Sequence, residues 1–145
     1  MSSIKKRSAL EAALIGAIGA EIERLALGFD VPVGVDVLRG ESRAHVRLEN
    51  FTMLANGAGP GVDRWTFDVH VFAREGVTAE DEILEAGAVA GQIEGAVIDA
   101  IEGLEAVPGA NSAELLSSNG AATDDPDLDH LKMKFRIIIG GAKNE

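Results

Sequence analysis

The chain has 145 residues, 46% of them apolar, with a formal net charge of −11 and no cysteine. That length suits one domain burying roughly two thirds of its extended-chain surface, and the apolar fraction excludes global disorder. The charge argues against a basic nucleic-acid-binding face, since phosphate neutralisation dominates such affinity, and the missing thiols exclude disulfides, cysteine nucleophiles and cysteine metal sites.

Lys5-Lys6-Arg7 followed by Ala12 to Ala20 has the outline of a secretory signal, but Glu11 interrupts it and the run is rich in alanine and glycine. The same residues make a good amphipathic helix. Ser8 to Glu11 reads as a capping box, which places that helix over Ala9–Leu27 with Gly28 as its stop. Leu10, Leu14, Ile18, Ile22 and Leu25 form its apolar stripe, and Ala9, Ala13, Gly16 and Ala20 a ridge of small residues beside it. No stretch of the sequence is apolar for long enough to span a membrane.

Val31 to Val37 alternates, with Pro32 and Gly34 marking an edge strand or a strand's start. After the turn at Gly40-Glu41, Arg43–Asn50 reads as a strand with Ala44, Val46 and Leu48 on one face and His45, Arg47 and Glu49 on the other. Residues 54–62, with Asn56, Gly57, Gly59, Pro60 and Gly61, form a flexible loop closing a long hairpin. The next strand holds the only tryptophan. Trp65, Phe67, Val69, Val71 and Ala73 alternate with Thr66, Asp68, His70, Phe72 and Arg74, which predicts one face on the core and the other mostly wet.

Arg74-Glu75-Gly76 breaks the pattern, and Thr78 with Asp81 reads as a helix start. The helix is predicted over Ala79–Leu104, with Ile83, Ala86, Ala90, Ile93, Val97, Ile101 and Leu104 on its apolar stripe. Gly87, Gly91 and Gly95 recur at a spacing of four, each at a cost of about 1 kcal/mol relative to alanine. Such a ridge predicts a close neighbour: the small-residue ridge of the first helix is the expected one, and a contact between subunits the alternative.

Val107-Pro108-Gly109 ends the helix, Ser112–Ser118 reads as a short strand, and residues 119–129 as a polar, acidic loop around Pro126. His130–Ile139 is the last strand, with Leu131, Met133, Phe135, Ile137 and Ile139 inward and Lys132, Lys134 and Arg136 outward. Residues 1–7 and 140–145 read as flexible tails of a single domain spanning 1–145. This order predicts an α+β fold: a two-layer sandwich, a mainly antiparallel sheet with two helices packed on one face.

No catalytic set emerges. His45, His70 and His130 take the polar register of three separate strands, and cluster only if those strands are neighbours; a metal site is then possible. Ordinary surface or half-buried histidines are the favoured reading. Asp124, Asp125, Asp127 and Asp129 invite a calcium reading, but counting from Asp125 an EF-hand would want glycine and glutamate where His130 and Arg136 stand, which leaves a solvated loop as the default and a weak divalent site as the alternative. Gly57 to Gly61 lacks the lysine and the following helix of a phosphate-binding loop. No catalytic residue, cofactor or metal is assigned.

Asp63-Arg64-Trp65-Thr66-Phe67-Asp68-Val69-His70-Val71-Phe72-Ala73-Arg74-Glu75-Gly76, leading into the small-residue helix Glu85-Ala86-Gly87-Ala88-Val89-Ala90-Gly91-Gln92-Ile93, resembles the tail terminator (tail-completion) proteins of long-tailed bacteriophages and related gene transfer agents. Element order extends the resemblance over most of the chain. It implies a structural virion protein and no enzyme: a ring, typically hexameric, that terminates the tail tube and joins it to the head–tail connector or neck. The implied partners are copies of itself, the tail tube protein and a connector or neck protein, with DNA passing through the lumen without specific binding and no membrane contact. The implied location is the virion tail or neck, after synthesis in the host cytoplasm.

An acidic subunit suits a channel that should not grip phosphate. Asn56 in the first loop and Asp124, Asp125 and Asp127 in the second are the expected rim contacts, because extended loops in a small domain are often functional. Arg39, Arg43, Arg47 and Arg64 are candidates to pair with a neighbour's acids across the ring, with simple solvation the favoured reading of each taken singly. The competing readings are another neck or head-completion adaptor, and a small α+β ligand-binding domain or enzyme. A deep cleft favours the last; flat patches on opposite sides favour a ring.

Overall fold

A computed structural model describes residues 3–35, 44–77, 83–103, 107, 109–121, 123 and 127–140. Along the chain its elements are α1 (Ser3–Arg24), β1 (Val33–Gly34), β2 (Ala44–Leu54), β3 (Val62–Ala73), β4 (Gly76–Val77), β5 (Ile83–Leu84), α2 (Ala86–Glu102), β6 (Ala110–Ala121) and β7 (Asp129–Gly140). The main sheet runs β1-β2-β3-β7-β6. β1 joins it parallel to β2 and every other pairing is antiparallel, so the sheet is mixed but mostly antiparallel. With both helices against one face, this is the expected α+β sandwich. No described helix is long and apolar enough to cross a membrane.

Alternation in β3 decides which side faces the helices. Trp65, Phe67, Val69, Val71 and Ala73 are all buried, as are Val46 and Leu48 of β2 and Met133, Phe135 and Ile137 of β7. Leu10, Leu14, Ile18 and Ile22 of α1 and Val89, Ile93, Val97 and Ile101 of α2 close over them. Phe67 stacks between Phe51 and Phe135, with ring centroids 5.0 and 5.8 Å away. Phe51 reaches the core only because the β2–β3 register slips between Glu49 and Thr52. Asn50, at φ 58°, is the extra residue, and asparagine is among the few side chains that tolerate the left-handed region.

Several boundaries differ from the sequence reading, each for a physical reason. α1 begins at Ser3, so Ser8 is mid-helix and caps nothing, and residues 3–7 are helical instead of a tail. Arg7 pairs with Glu11 one turn on, and Lys6 reaches Asp63 of β3 at 2.8 Å. That lysine holds the Asp63 carboxyl below its usual range. The helix ends at Arg24, before Leu27, and Ala26 (φ 51°) turns the chain into the left-handed region ahead of Gly28.

α2 starts at Ala86 and not at Ala79. Ile83 and Leu84 pair with Val77 and Gly76 in a small hairpin, which leaves Ile83 exposed. Thr78 and Asp81, read as the cap, lie outside the described residues, as does Leu104; the N-cap position is Glu85, with no side-chain cap bond. β6 takes twelve residues, well beyond Ser112–Ser118, because pairing with β7 organises a serine- and asparagine-rich segment of weak intrinsic strand preference. It also absorbs residues 119–121 of the expected acidic loop.

The glycine ridge of α2 does not face α1. Gly87, Gly91 and Gly95 are exposed, and a Cβ built on Gly91 or Gly95 meets nothing within 4 Å. Area decides this: burying a valine or isoleucine is worth about 1.5–3 kcal/mol, so Val89, Ile93, Val97 and Ile101 take the core side and the glycines rotate outward.

Two substitutions check this packing by chemical denaturation of the dilute chain. Phe67→Ala should lower unfolding free energy by about 3–5 kcal/mol, since a stacked, fully buried ring leaves a cavity. Gly91→Ala should raise it by about 0.5–1 kcal/mol, as an alanine enters open helix surface; a loss instead would mean that the ridge is covered.

Candidate functional site on the open face of the sheet

The alternation that fills the core sends every second residue of β2, β3 and β7 to the face without helices. Register sets them in rows across the strands. His45, Phe72, His130 and Ala121 form the first row, and Arg47, His70, Lys132 and Asn119 the second. Glu49, Asp68, Lys134 and Ser117 follow, and beyond the Asn50 bulge come Thr52, Thr66, Arg136 and Glu114. Leu54, Arg64, Ile138 and Ser112 end the series.

This face is less wet than alternation predicts. Asp68 is only 2% exposed and His70 7%. Asp68 sits at the centre: its Oδ2 accepts a hydrogen bond from Asn50 Nδ2 at 2.8 Å, and the ammonium groups of Lys134 and Lys132 approach to 3.6 and 3.8 Å. One hydrogen bond and two nearby ammonium charges, from two neighbouring strands, thus offset the desolvation of one carboxylate, whose Oδ1 accepts no hydrogen bond. Arg47 pairs with Glu49 at 2.8 Å, and Arg136 with Glu114.

The three histidines come together because β2, β3 and β7 are neighbours. His70 Nδ1 lies 2.7 Å from His130 Nε2, a hydrogen bond that needs one nitrogen protonated and the other bare. Phe72 is stacked between His45 at 4.6 Å and His130 at 4.2 Å, and the Arg47 guanidinium lies over the Phe72 ring at 5.3 Å. Burial pushes His45 below its ordinary 6.5, helped by the nearby Arg47. Burial also lowers His70, against the opposing pull of Glu49. Among the described residues no three His, Asp or Glu side chains converge as metal ligands; these rings stack and pair.

Of the residues singled out from sequence, Arg47 lies in the second row, and Arg64 is half-buried in the last. Asn56 is turned to its own loop: its Oδ1 accepts from the Gly61 amide at 2.8 Å, and its own amide donates to Asp63 at 3.2 Å. Asp127 is exposed in the turn before β7. Arg39, Arg43, Asp124 and Asp125 lie outside the described residues. Sequence reasoning set Lys132, Lys134 and Arg136 outward without a role and missed Asp68 altogether. The one available signal was a lone aspartate in the wet register of an otherwise aromatic strand.

A cleft of about 480 Å³ lies off this face, where Lys6, Leu10 and Ala13 of α1 meet Asp63, Trp65 and Ile139. It is mainly apolar, with the Lys6–Asp63 pair on its lining.

No family model matches the chain, and no curated protein matches it. Its fold is similar to that of a chain in the solved virion of a native gene transfer agent (GTA) particle, with a TM-score of 0.66 and 18% sequence identity over 93% of this chain and 97% of that one. At that identity the likeness is one of fold.

The histidines give this surface a pH signature. Both His45 and His70 titrate lower in the fold than near 6.5 in the unfolded chain. As pH falls below that value the unfolded chain takes up protons first, so the folded state loses stability until the depressed values are passed. The denaturation midpoint should drop between about pH 7.5 and about pH 5.5, and a His45→Gln/His70→Gln variant should drop less. An unchanged slope in the variant would assign the loss to other groups.

Proposed function

We propose that the chain is a structural protein of a phage-like or gene transfer agent virion and that, within it, it serves as the tail terminator. Copies assemble into a ring, six in the reading implied by family resemblance, which closes the end of the tail tube and joins it to the head–tail connector or neck. The observation that carries the reading is the fold shared with a GTA virion chain over almost the full length of both.

Charge and surface support it. A net charge of −11 suits a ring whose lumen lets DNA pass, because an acidic wall repels phosphate. The most organised polar constellation is spread over an open sheet face instead of converging in a cleft, which favours contact with another surface over binding of a small ligand. Arg47 and Arg64, on that face, remain candidates for pairing across the ring, and the loop carrying Asp127 a candidate rim contact.

Electron microscopy of the purified chain mixed with isolated tail tubes tests this directly. The expected result is a closed ring with a central hole seated on one end of the tube. Rings that bind isolated connectors but never tubes would assign the chain to another neck position. A chain that binds neither and remains monomeric at every concentration would overturn the virion reading.

A further inference from the structure

The open sheet face runs against the charge of the rest of the molecule. Among the described residues it gathers Arg47, Arg64, Lys132, Lys134 and Arg136 against Glu49, Asp68 and Glu114, while the chain as a whole carries −11. On the helical side α2 is the counterpart: it has no basic residue from Ala86 to Glu102, and Asp99 and Glu102 are exposed along it, whereas α1 carries Lys5, Lys6, Arg7 and Arg24 against Glu11, Glu21 and Glu23. Resting on the ring reading, we propose that the open sheet face is where a second copy of this chain docks head to tail, laying the acidic helix α2 of one copy on the lysines and arginines of the next.

The local geometry leaves this face with positive charge to offer. Two lysines share the one Asp68 carboxylate, so a net cationic charge remains, and their side chains are 48% and 47% exposed. Each ammonium has three donors, which one shared carboxylate does not use up. The patch beside them is already ordered. Phe72 is clamped between His45 and His130 under Arg47, so a partner has few side chains left to immobilise.

Symmetry then fixes the occupant. A two-fold pairing of open face with open face would set the lysines and arginines of one copy against those of the other, and like charges in contact are strongly disfavoured. A contact between different surfaces avoids this. Such a head-to-tail contact closes into a ring or runs on as a filament, depending only on the rotation between copies.

Two paired variants test the proposal, each measured at a temperature well below its own unfolding midpoint, because the lysine pair also supports the buried Asp68. Sedimentation equilibrium over a wide concentration range, with and without tail tubes, reads self-association. Lys132→Gln/Lys134→Gln should weaken it at least about tenfold, Asp99→Asn/Glu102→Gln should do the same, and the wild-type contact should loosen with salt. Assembly that ignores both pairs overturns this interface while leaving the ring reading standing. Sensitivity to the lysine pair alone overturns α2 as the occupant. A lysine-dependent binding of a single-stranded DNA oligonucleotide, with self-association unaffected, assigns the face to nucleic acid instead. A monomer under every condition overturns interface and ring together.

Discussion

β3 is hydrogen-bonded along its length to β2 on one side and β7 on the other, and its register is the constraint on which both faces of the protein depend. Phe67 and Asp68 are adjacent in sequence and opposite in destination. The first is stacked in the core between Phe51 and Phe135; the second is enclosed on the far face by Asn50, Lys132 and Lys134. A slip of one residue would exchange them, placing a carboxylate under the helices and a phenyl ring among lysines. Core and charged face are therefore specified by one pairing, and each penalises errors in the other.

The bulge at Asn50 shows the same coupling from β2. Without an extra residue there, Phe51 would point to the open face and the stack on Phe67 would be lost. With it, Phe51 enters the core, and the displaced Asn50 turns its amide to Asp68. A single left-handed residue thus serves the apolar stack and the buried carboxylate together. That explains why Asp68 can be almost wholly buried on a face that no helix covers.

What was legible in the sequence follows from this physics. Period-two patterns place β3 and β7 closely, because their apolar members are large and their polar members mostly charged, whereas β2 runs on to Leu54, four residues past the expected end at Asn50, because the bulge there breaks the period. β6 was read too short because Ser117, Ser118 and Asn119 carry no such contrast and take their order from β7. The glycine ridge of α2 was given the wrong neighbour because spacing reports which residues share a stripe, not which stripe faces inward; apolar area settles that. The start of α2 was missed because Ile83 fits the helical stripe equally well, and only its pairing with Val77 removes it. The histidine cluster was legible as a condition on strand adjacency. Asp68 was not, since its lysines lie some sixty residues further along the chain and face it only in the folded sheet.

The same distance argument applies to charge. A net value of −11 describes solubility and long-range field, and on that value alone a basic surface looks excluded. Alternation sorts charges by side as strictly as it sorts apolar residues. Lys132, Lys134 and Arg136 fall in the same register as Arg47 once β7 lies beside β3. The open side of the sheet thus carries the sign opposite to that of α2 on the covered side. For an isolated molecule such polarity brings little advantage. For identical copies stacked head to tail it makes each molecule the complement of the next, while opposing the face-to-face pairing that would end the series at a dimer.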